Sequence, residues 1–489
     1  MKVLLANTPY VKESGKYGVK AGARWAAIRS RVRGMQYFPF PFFMAYATAV
    51  LKNNGFDAII RDFIAEELEF EKSITEIKRI KPDILVLETS TPSIYADLEV
   101  VSQVKKNSDS LIVLVGPHAS AFPTELMQEN PIDYLIPGEY EYTLKKLVRA
   151  HDTGKEDLNS IKGLYFRSEG EIKNTGQSDL IDDLDDLPYP EREGVPLQKY
   201  TDPSCKKFPN ISILASRGCP KKCIFCLEPS LFYGKPNFRV RNYEKVVDEI
   251  EFLIAQYKPA EIYFDDSSFT LSNKLARNIS EEITKRKLKI TWSCMADVNV
   301  DYETLKVMRD SGCQGLKFGV ESADPEILEN SGKKINLENV KEFVKNCKKL
   351  GLYTHGTFMF GLPGETKATI KKTTDFAFKL NLTSSQFSVA TPYPGTPFYE
   401  IAKKNKWLIT DDFRNFEGGS TPVISYPDCS PEDIIDGVNF ASRRKIRKLI
   451  FNPKVLYAYI VKLYKIHGPL NTIVELFLKI MYVTGLKKA

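Results

Sequence analysis

The sequence predicts an α/β protein: a doubly wound parallel sheet, then a partial barrel of six β/α units, then a helical tail. Three observations carry that prediction. Short apolar runs alternate with helical periodicity over residues 1–151, the rhythm restarts at residue 211, and helical signals alone remain after residue 400. Continuous apolar strands separated by helices mean parallel pairing with both sheet faces covered. The expected division is residues 1–151, a connection at 152–204, a barrel at 205–400 and a basic helical region at 401–489. With 43% hydrophobic residues, each unit has material for its own core.

In the first unit the strand runs are Lys2–Ala6, Asp57–Ile60, Ile84–Leu87, Leu111–Val115 and Tyr134–Ile136. Helical patterns cover Phe42–Asn53, Glu66–Ile80, Ala96–Lys106 and Glu141–His151. Ligands of such sheets bind beyond the strand C-terminal ends. Those ends carry Asn7-Thr8-Pro9, Thr89-Ser90-Thr91-Pro92, Gly116-Pro117-His118-Ala119-Ser120 and Pro137-Gly138-Glu139. No G-x-G-x-x-G follows the first strand, so the dinucleotide fingerprint is missing. Residues 12–41 read as a long loop that covers this edge or lines an entrance. The connection holds hairpin signals at Gly163–Phe166 and Glu169–Glu171 and an acidic run from Asp179 to Pro190. The first residues break at Asn7-Thr8-Pro9, which suits a strand rather than a signal peptide.

Barrel strands are expected at Ile211–Ala215, Glu261–Phe264, Thr291–Cys294, Gly315–Val320, Thr354–Phe360 and Ser385–Ala390. Helices at Tyr243–Gln256, Ala276–Arg286, Tyr302–Asp310, Leu337–Leu350 and Lys367–Leu380 separate them. Directly after the first barrel strand comes Ser216-Arg217-Gly218-Cys219-Pro220-Lys221-Lys222-Cys223-Ile224-Phe225-Cys226, a C-x3-C-x2-C loop. Three thiolates on one short loop can hold three irons of a 4Fe-4S cluster and leave the fourth open to a small ligand. A structural zinc site wants a fourth closing ligand, and none lies nearby. Of the eight cysteines the first is Cys205, a distribution unlike a secreted disulfide framework and suited to a reducing cytosol. Cys294, Cys313 and Cys347 read as core thiols, and their spacing forms no second cluster motif.

The net charge is +7, yet residues 441–489 hold eleven Lys/Arg against one acidic residue, Glu475, so the remaining 440 residues sum to −3. That tail suits a helix lying in a membrane interface or helices packed on the barrel with a solvated basic face. It is richer in aliphatic residues than a phosphate-tracking surface, which argues against nucleic acid. No apolar run reaches the roughly 18 to 20 residues of a membrane span.

The cysteine loop, with Phe225 just before its last cysteine, resembles the signature of the radical S-adenosylmethionine (SAM) enzymes. The preceding unit, with its strings GPHAS and PGEYEYTL, resembles the Rossmann-like cobalamin-binding domain of the cobalamin-dependent members. The resemblance covers roughly residues 1–400 and implies that the barrel is the (β/α)6 TIM-like one of that family. It implies that Cys219, Cys223 and Cys226 ligate a 4Fe-4S cluster whose open iron chelates SAM. SAM contacts are implied for Phe225, Asp265, Asp266, Glu321 (to the ribose hydroxyls) and Gly361, with helix capping and surface ion pairing as the other readings of the carboxylates. Tyr393, on the rim after the sixth strand, is the catalytic candidate. Cobalamin contacts are implied for Thr8, Ser90, Thr91, Gly116, Pro117, His118, Gly138 and Glu139, with loop packing as the other reading of His118. No histidine precedes His118, so the D-x-H-x-x-G motif is missing and cobalamin would have no histidine lower ligand.

The implied activity is reductive cleavage of SAM to a 5′-deoxyadenosyl radical and methylation of an unactivated carbon through methylcobalamin. Radical rearrangement or ring formation on a lipid-like substrate is the runner-up, and a non-catalytic cobalamin or SAM sensor is the alternative of another class. The implied partners are a small-molecule or lipid substrate and a one-electron reductant such as flavodoxin or ferredoxin. The expected location is the cytoplasm, with peripheral membrane contact through residues 441–489 if the tail lies in an interface. Residues 1–204 contain no cysteine, which excludes the second cluster of the methylthiotransferases.

Overall fold

The computed structural model of the protein describes residues 1–10, 17–20, 26–29, 38–154, 157–202, 204–419 and 421–483. The N-terminal unit runs β1 (Lys2–Asn7), a hairpin of β2 (Tyr17–Lys20) and β3 (Ala26–Arg29), α1 (Phe42–Asn53), β4 (Asp57–Asp62) and α2 (Phe70–Ile80). It continues with β5 (Ile84–Glu88), α3 (Ile94–Lys105), β6 (Leu111–Val115), the short α4 (Pro117–Ala121) and α5 (Pro123–Glu129), β7 (Tyr134–Ile136) and α6 (Glu141–Thr153). The sheet order is β4-β1-β5-β6-β7, all parallel. Side chains alternate between its faces: Val3, Leu5 and Val86 join one core with α1 and α6, and Leu4, Ala6 and Leu85 join another with α2 and α3.

Helix α2 starts at Phe70 rather than Glu66, because a turn intervenes. Glu67 takes a left-handed φ of 60°, and the Ala65 N–H donates to the Asp62 carboxylate at 3.2 Å. The hairpin in the connection, β8 (Tyr165–Ser168) and β9 (Glu171–Asn174), adds two antiparallel strands beyond β7. Phe166 is buried in the same core as Tyr134. This stretch therefore belongs to the first sheet. Most of the expected loop at 12–41 lies outside the described residues. Of its described part, Phe38 bridges Thr201, and the Phe40 ring meets the Tyr200 ring edge-on at 5.3 Å.

The second unit begins at β10 (Asn210–Ile213), and a two-residue ladder of β11 (Ser216–Arg217) and β12 (Arg239–Val240) follows. Then come α7 (Tyr243–Tyr257), β13 (Glu261–Phe264), α8 (Asn273–Lys285), β14 (Trp292–Met295), α9 (Tyr302–Asp310), β15 (Cys313–Glu321), α10 (Pro325–Asn330), α11 (Leu337–Lys349), β16 (Tyr353–Phe360), α12 (Lys367–Lys379) and β17 (Ser384–Val389). The six long strands pair in chain order, all parallel, so the barrel stays open between β10 and β17. Phe264, Trp292, Phe318, Phe358 and Phe360 fill its core.

The tail forms α13 (Pro397–Lys404), α14 (Pro431–Ile450) and α15 (Pro453–Val483). Ser430 and Asp433 close a capping box at the start of α14, with Pro431 at its first position. This helix packs on β17 and α12, and so closely that a Cβ on Gly437 would meet Ile370 Cγ2 at 2.6 Å. Among the described residues no helix is long and apolar enough to cross a membrane.

Candidate functional site

The cysteine loop is pinched at its root. Ser216 pairs with Val240 and Arg217 with Arg239, so residues 218–238 leave and return at one point. Gly218 sits there at φ +89°, where a Cβ would meet the Asn237 side-chain oxygen at 2.4 Å and its carbonyl at 2.7 Å. Only glycine fits that position. The far side is fixed by the Ile224 N–H on the Ser331 carbonyl at 3.0 Å and by the Phe398 N–H on the Ile224 carbonyl at 3.1 Å. Cys219, Cys223 and Cys226 are partly exposed, whereas Cys205, Cys294, Cys313, Cys347 and Cys429 are buried.

Burial pushes all three loop thiols above their ordinary range. Two lysines oppose it: Lys333, paired with Glu321 at 3.2 Å, lowers Cys223, and Lys221, paired with Asp297, lowers Cys219 and Cys223. Three soft donors on one loop, with cations beside them, fit an iron–sulfur cluster, whose iron charge deprotonates its ligands.

The strand ends arrange the remaining barrel residues. Glu321 closes β15 at φ +68°, beside a register shift against β16. A non-glycine residue in the left-handed region carries strain of about 1–3 kcal/mol, a cost that concentrates at functional sites. Asp265 follows β13, and its N–H donates to the Ile213 carbonyl at 2.9 Å. Asp266 is fully buried and accepts from the Ala215 N–H at 3.1 Å and from the Ser216 hydroxyl, so it holds the chain just before the cysteine loop. Phe225 is half-buried against the barrel core. Gly361 turns at φ +96° after β16, donating to Glu365 at 3.2 Å and accepting from the Tyr426 hydroxyl at 2.8 Å. Tyr393 is buried on the rim beyond β17. Tyr10, from the loop after β1, lies near it: burial raises the Tyr10 phenol well above its usual range, and Tyr393 and Asp97 raise it further.

At the C-terminal edge of the first sheet, the Thr8 hydroxyl donates to Asp97 at 2.6 Å, and Lys20 donates to Asp97 at 2.7 Å and to the Glu88 carbonyl at 2.8 Å. Ser90 and Ser93 form a capping box before α3, and the Ser93 hydroxyl donates to Asp97 at 2.7 Å. Gly116 takes φ +97°, where a Cβ would meet the Thr89 carbonyl at 2.5 Å, and Pro117 opens α4. The His118 ring sits 5.2 Å from Phe122 and 4.8 Å from Phe413, with Nδ1 3.3 Å from the Thr91 hydroxyl. Burial lowers its pKa to about 3, so it is a neutral ring packed among aromatics. A Cβ on Gly138, at φ +72°, would meet the Phe232 carbonyl at 2.8 Å. Glu139 points to the barrel unit, pairing with Arg217 at 2.9 Å and Arg239 at 2.8 Å.

Sequence reasoning missed Lys20, Glu88, Asp97, Glu141 and the two arginines. Buried charges identify them: Lys20 and Asp97 are 4% and 0% exposed, and burial raises Glu88 to about 7. The Glu88 Oε1 and Asn7 Oδ1 atoms are buried at the ends of β5 and β1 with no hydrogen-bond partner among the described residues. Orphaned polar atoms beside the Gly116 cradle fit a polar ligand at this edge.

The thiol loop at the barrel mouth and this ligand edge are ion-paired to one another through Arg217 and Arg239 on one side and Glu139 and Glu141 on the other. Residues 213–377 match the Radical SAM superfamily and residues 33–148 the B12 binding domain. The chain is 35% identical over 432 residues to an uncharacterized methyltransferase of Pyrococcus horikoshii, covering 88% of this chain and 91% of that one. It is 29% identical over 428 residues to the anaerobic magnesium-protoporphyrin IX monomethyl ester cyclase of Cereibacter sphaeroides, covering 84% of this chain and 68% of that one. In fold it is similar to the radical SAM methyltransferase TsrM of Kitasatospora setae (TM-score 0.66, 22% identity, 83% of this chain and 77% of that one). It is also similar to the cobalamin-dependent radical enzyme OxsB (TM-score 0.68, 16% identity, 98% and 75%). The chain belongs to the cobalamin-dependent radical SAM family, and its cofactors are a 4Fe-4S cluster, SAM and cobalamin.

Proposed function

We propose that the protein methylates an unactivated carbon of a hydrophobic small molecule, drawing electrons from a one-electron donor such as flavodoxin or ferredoxin. The observation that carries this reading is the 35% identity to the Pyrococcus horikoshii methyltransferase, and the buried pairing of Glu139 and Glu141 with Arg217, which ties the ligand edge of the first sheet to the root of the cysteine loop, supports it. When bound, the cluster supplies the electron that cleaves SAM, and cobalamin relays the methyl group.

The chain's own residues bind and orient. Cys219, Cys223 and Cys226 would hold the cluster. Glu321, Asp265, Phe225 and the Gly361 turn would position SAM, while Asp266 fixes the backbone that leads into the loop. Thr8, Ser90, Thr91, Gly116 and Pro117 would hold the cobalamin at the C-terminal edge of the first sheet. His118 would pack behind them as a neutral ring, and Gly138 and Glu139 would secure the domain boundary. Tyr393 and Tyr10 would border the substrate space and keep water from it. The working units follow the division at residues 151, 204 and 400, with the 165–174 hairpin counted with the first. Residues 441–489 support a lipid-like substrate met in the cytoplasm near a membrane.

Ring formation is the second reading, favoured by the 29% identity to the cyclase. Product stoichiometry separates the two. Methylation consumes two SAM per product, giving one deoxyadenosine and one S-adenosylhomocysteine. Ring formation gives deoxyadenosine alone, and that result would overturn the methylation reading.

A further inference from the structure

The radical chemistry uses neither of two features that α14 links, a groove between α11 and α12 and the helix α15. Lys341, Lys345, Lys348 and Lys349 on α11 and Lys379 at the end of α12 line an open groove of about 490 Å³ floored by Val344 and Leu380. Lys345, Lys349 and Lys379 have no ion-pair partner among the described residues. The groove continues into the tail: Lys348 donates to the Leu380 carbonyl at 2.7 Å, and Lys448 of α14 donates to the neighbouring Asn381 side chain at 2.5 Å.

Helix α15, packed on α14, is the second feature. It kinks at Gly468, and its halves fold back on one another, with Lys479 Nζ 5.6 Å from the Tyr459 ring centroid. Leu463 and Thr472 are buried, while Leu470, Ile473, Val474 and Phe477 are exposed, Leu470 by 74% and Ile473 by 65%. Their spacing of three, four and seven residues puts them in one stripe on one helical face. Tyr457 and Tyr464, seven apart, are exposed on the first half. An apolar stripe turned to water, on a helix packed against α14, whose Lys448 reaches the groove, marks a docking site.

Charge decides the occupant. Residues 441–489 carry +10, and the groove adds five lysines, so a second copy would bring like charges together. An acidic soluble protein would answer the lysines and leave the stripe in water. A bilayer with anionic headgroups answers both, taking the stripe into the headgroup–acyl boundary and the lysines onto phosphates.

We propose that α15 and the α11–α12 lysine groove together form a docking face for an anionic lipid bilayer. This deepens the reading of the tail given above, by adding barrel lysines to it, and it does not depend on the reaction catalysed. The test is co-sedimentation of the reconstituted full chain with vesicles of phosphatidylcholine alone or with about 30% phosphatidylglycerol. Binding to the anionic vesicles only, weakened by salt, is expected. The double substitution Lys345→Glu with Lys349→Glu should weaken it about tenfold or more, as should Ile473→Ser with Phe477→Ser. Both variants should keep the iron content and circular dichroism of the parent, because these side chains are exposed. Equal binding to neutral vesicles, or unchanged binding by the lysine variant, would overturn the proposal. So would absence of vesicle binding, whether the chain proves to be a dimer closed through α15 or binds an acidic flavodoxin instead. Deoxyadenosine formation without vesicles is read separately, so failure of the docking face and failure of the radical chemistry are distinguishable.

Discussion

Arg217 and Glu139 lie 78 residues apart in the chain and 2.9 Å apart in the fold, each 3% exposed. One roots the cysteine loop, and the other follows the last parallel strand of the first sheet. Glu141 completes the clamp at 2.8 Å, and the guanidinium lies over the Phe43 and Tyr46 rings at 5.0 and 4.8 Å. Burial pushes the Glu139 carboxyl up, but Arg217 and Arg239 outweigh it and hold it below the usual range.

Removing the arginine takes from the buried Glu141 carboxylate the cation it pairs with and leaves Glu139 to Arg239 alone. Arg217→Met should destabilise the protein by about 3–5 kcal/mol, the cost of breaking a buried ion pair from one side. Glu139→Gln should cost less and lower turnover while iron content stays normal. Chemical denaturation and iron analysis check both.

Among the cysteines, the three on the loop are partly exposed and the other five are buried. Cys226→Ala should lose bound iron and deoxyadenosine formation together. Cys347→Ala, in a fully buried position, should keep its iron and lose about 1 kcal/mol or more of stability to the missing packing. Iron and sulfide analysis after anaerobic reconstitution reads the difference.

Gly116→Ala forces a Cβ into the Thr89 carbonyl at a backbone angle that L side chains rarely adopt. It should cost about 1–3 kcal/mol and release cobalamin on desalting. Visible absorption of the desalted protein measures the retained cofactor.

Burial raises the Glu88 carboxyl from its ordinary 4.5 to about 7 in the folded protein. A folded pKa above the unfolded one means that the folded state holds the proton more tightly. The stability it contributes is complete below about pH 4.5 and is lost as pH rises toward 7. Glu88→Gln should therefore be more stable than the parent at pH 8, by an amount on the order of 3 kcal/mol. The gap should close on acidification to pH near 4.5, as thermal melts across that range would show.

The barrel, the parallel sheet and the loop that carries three cysteines are legible in the sequence because each rests on local pattern. The bounds of β6, β7 and α1 coincide with the apolar runs Leu111–Val115, Tyr134–Ile136 and Phe42–Asn53. Helix α2 begins four residues late because Glu67 turns left-handed, a choice that its neighbours' propensities do not reveal. What is not legible is long-range. Asp97 reads as an ordinary polar residue of α3 until Thr8, 89 positions earlier, is seen bonded to it. Glu139 reads as a ligand contact from its place at a strand end, and only the fold supplies Arg239, 100 residues on. His118 admits two readings in sequence, and Phe413 from the tail encloses its ring.

The most direct test of the central claim is anaerobic turnover of the enzyme reconstituted with iron, sulfide and cobalamin, supplied with methyl-labelled SAM and reductant, and read by mass spectrometry. The account predicts deoxyadenosine together with label recovered on cobalamin. Deoxyadenosine with cobalamin neither bound nor labelled would contradict it.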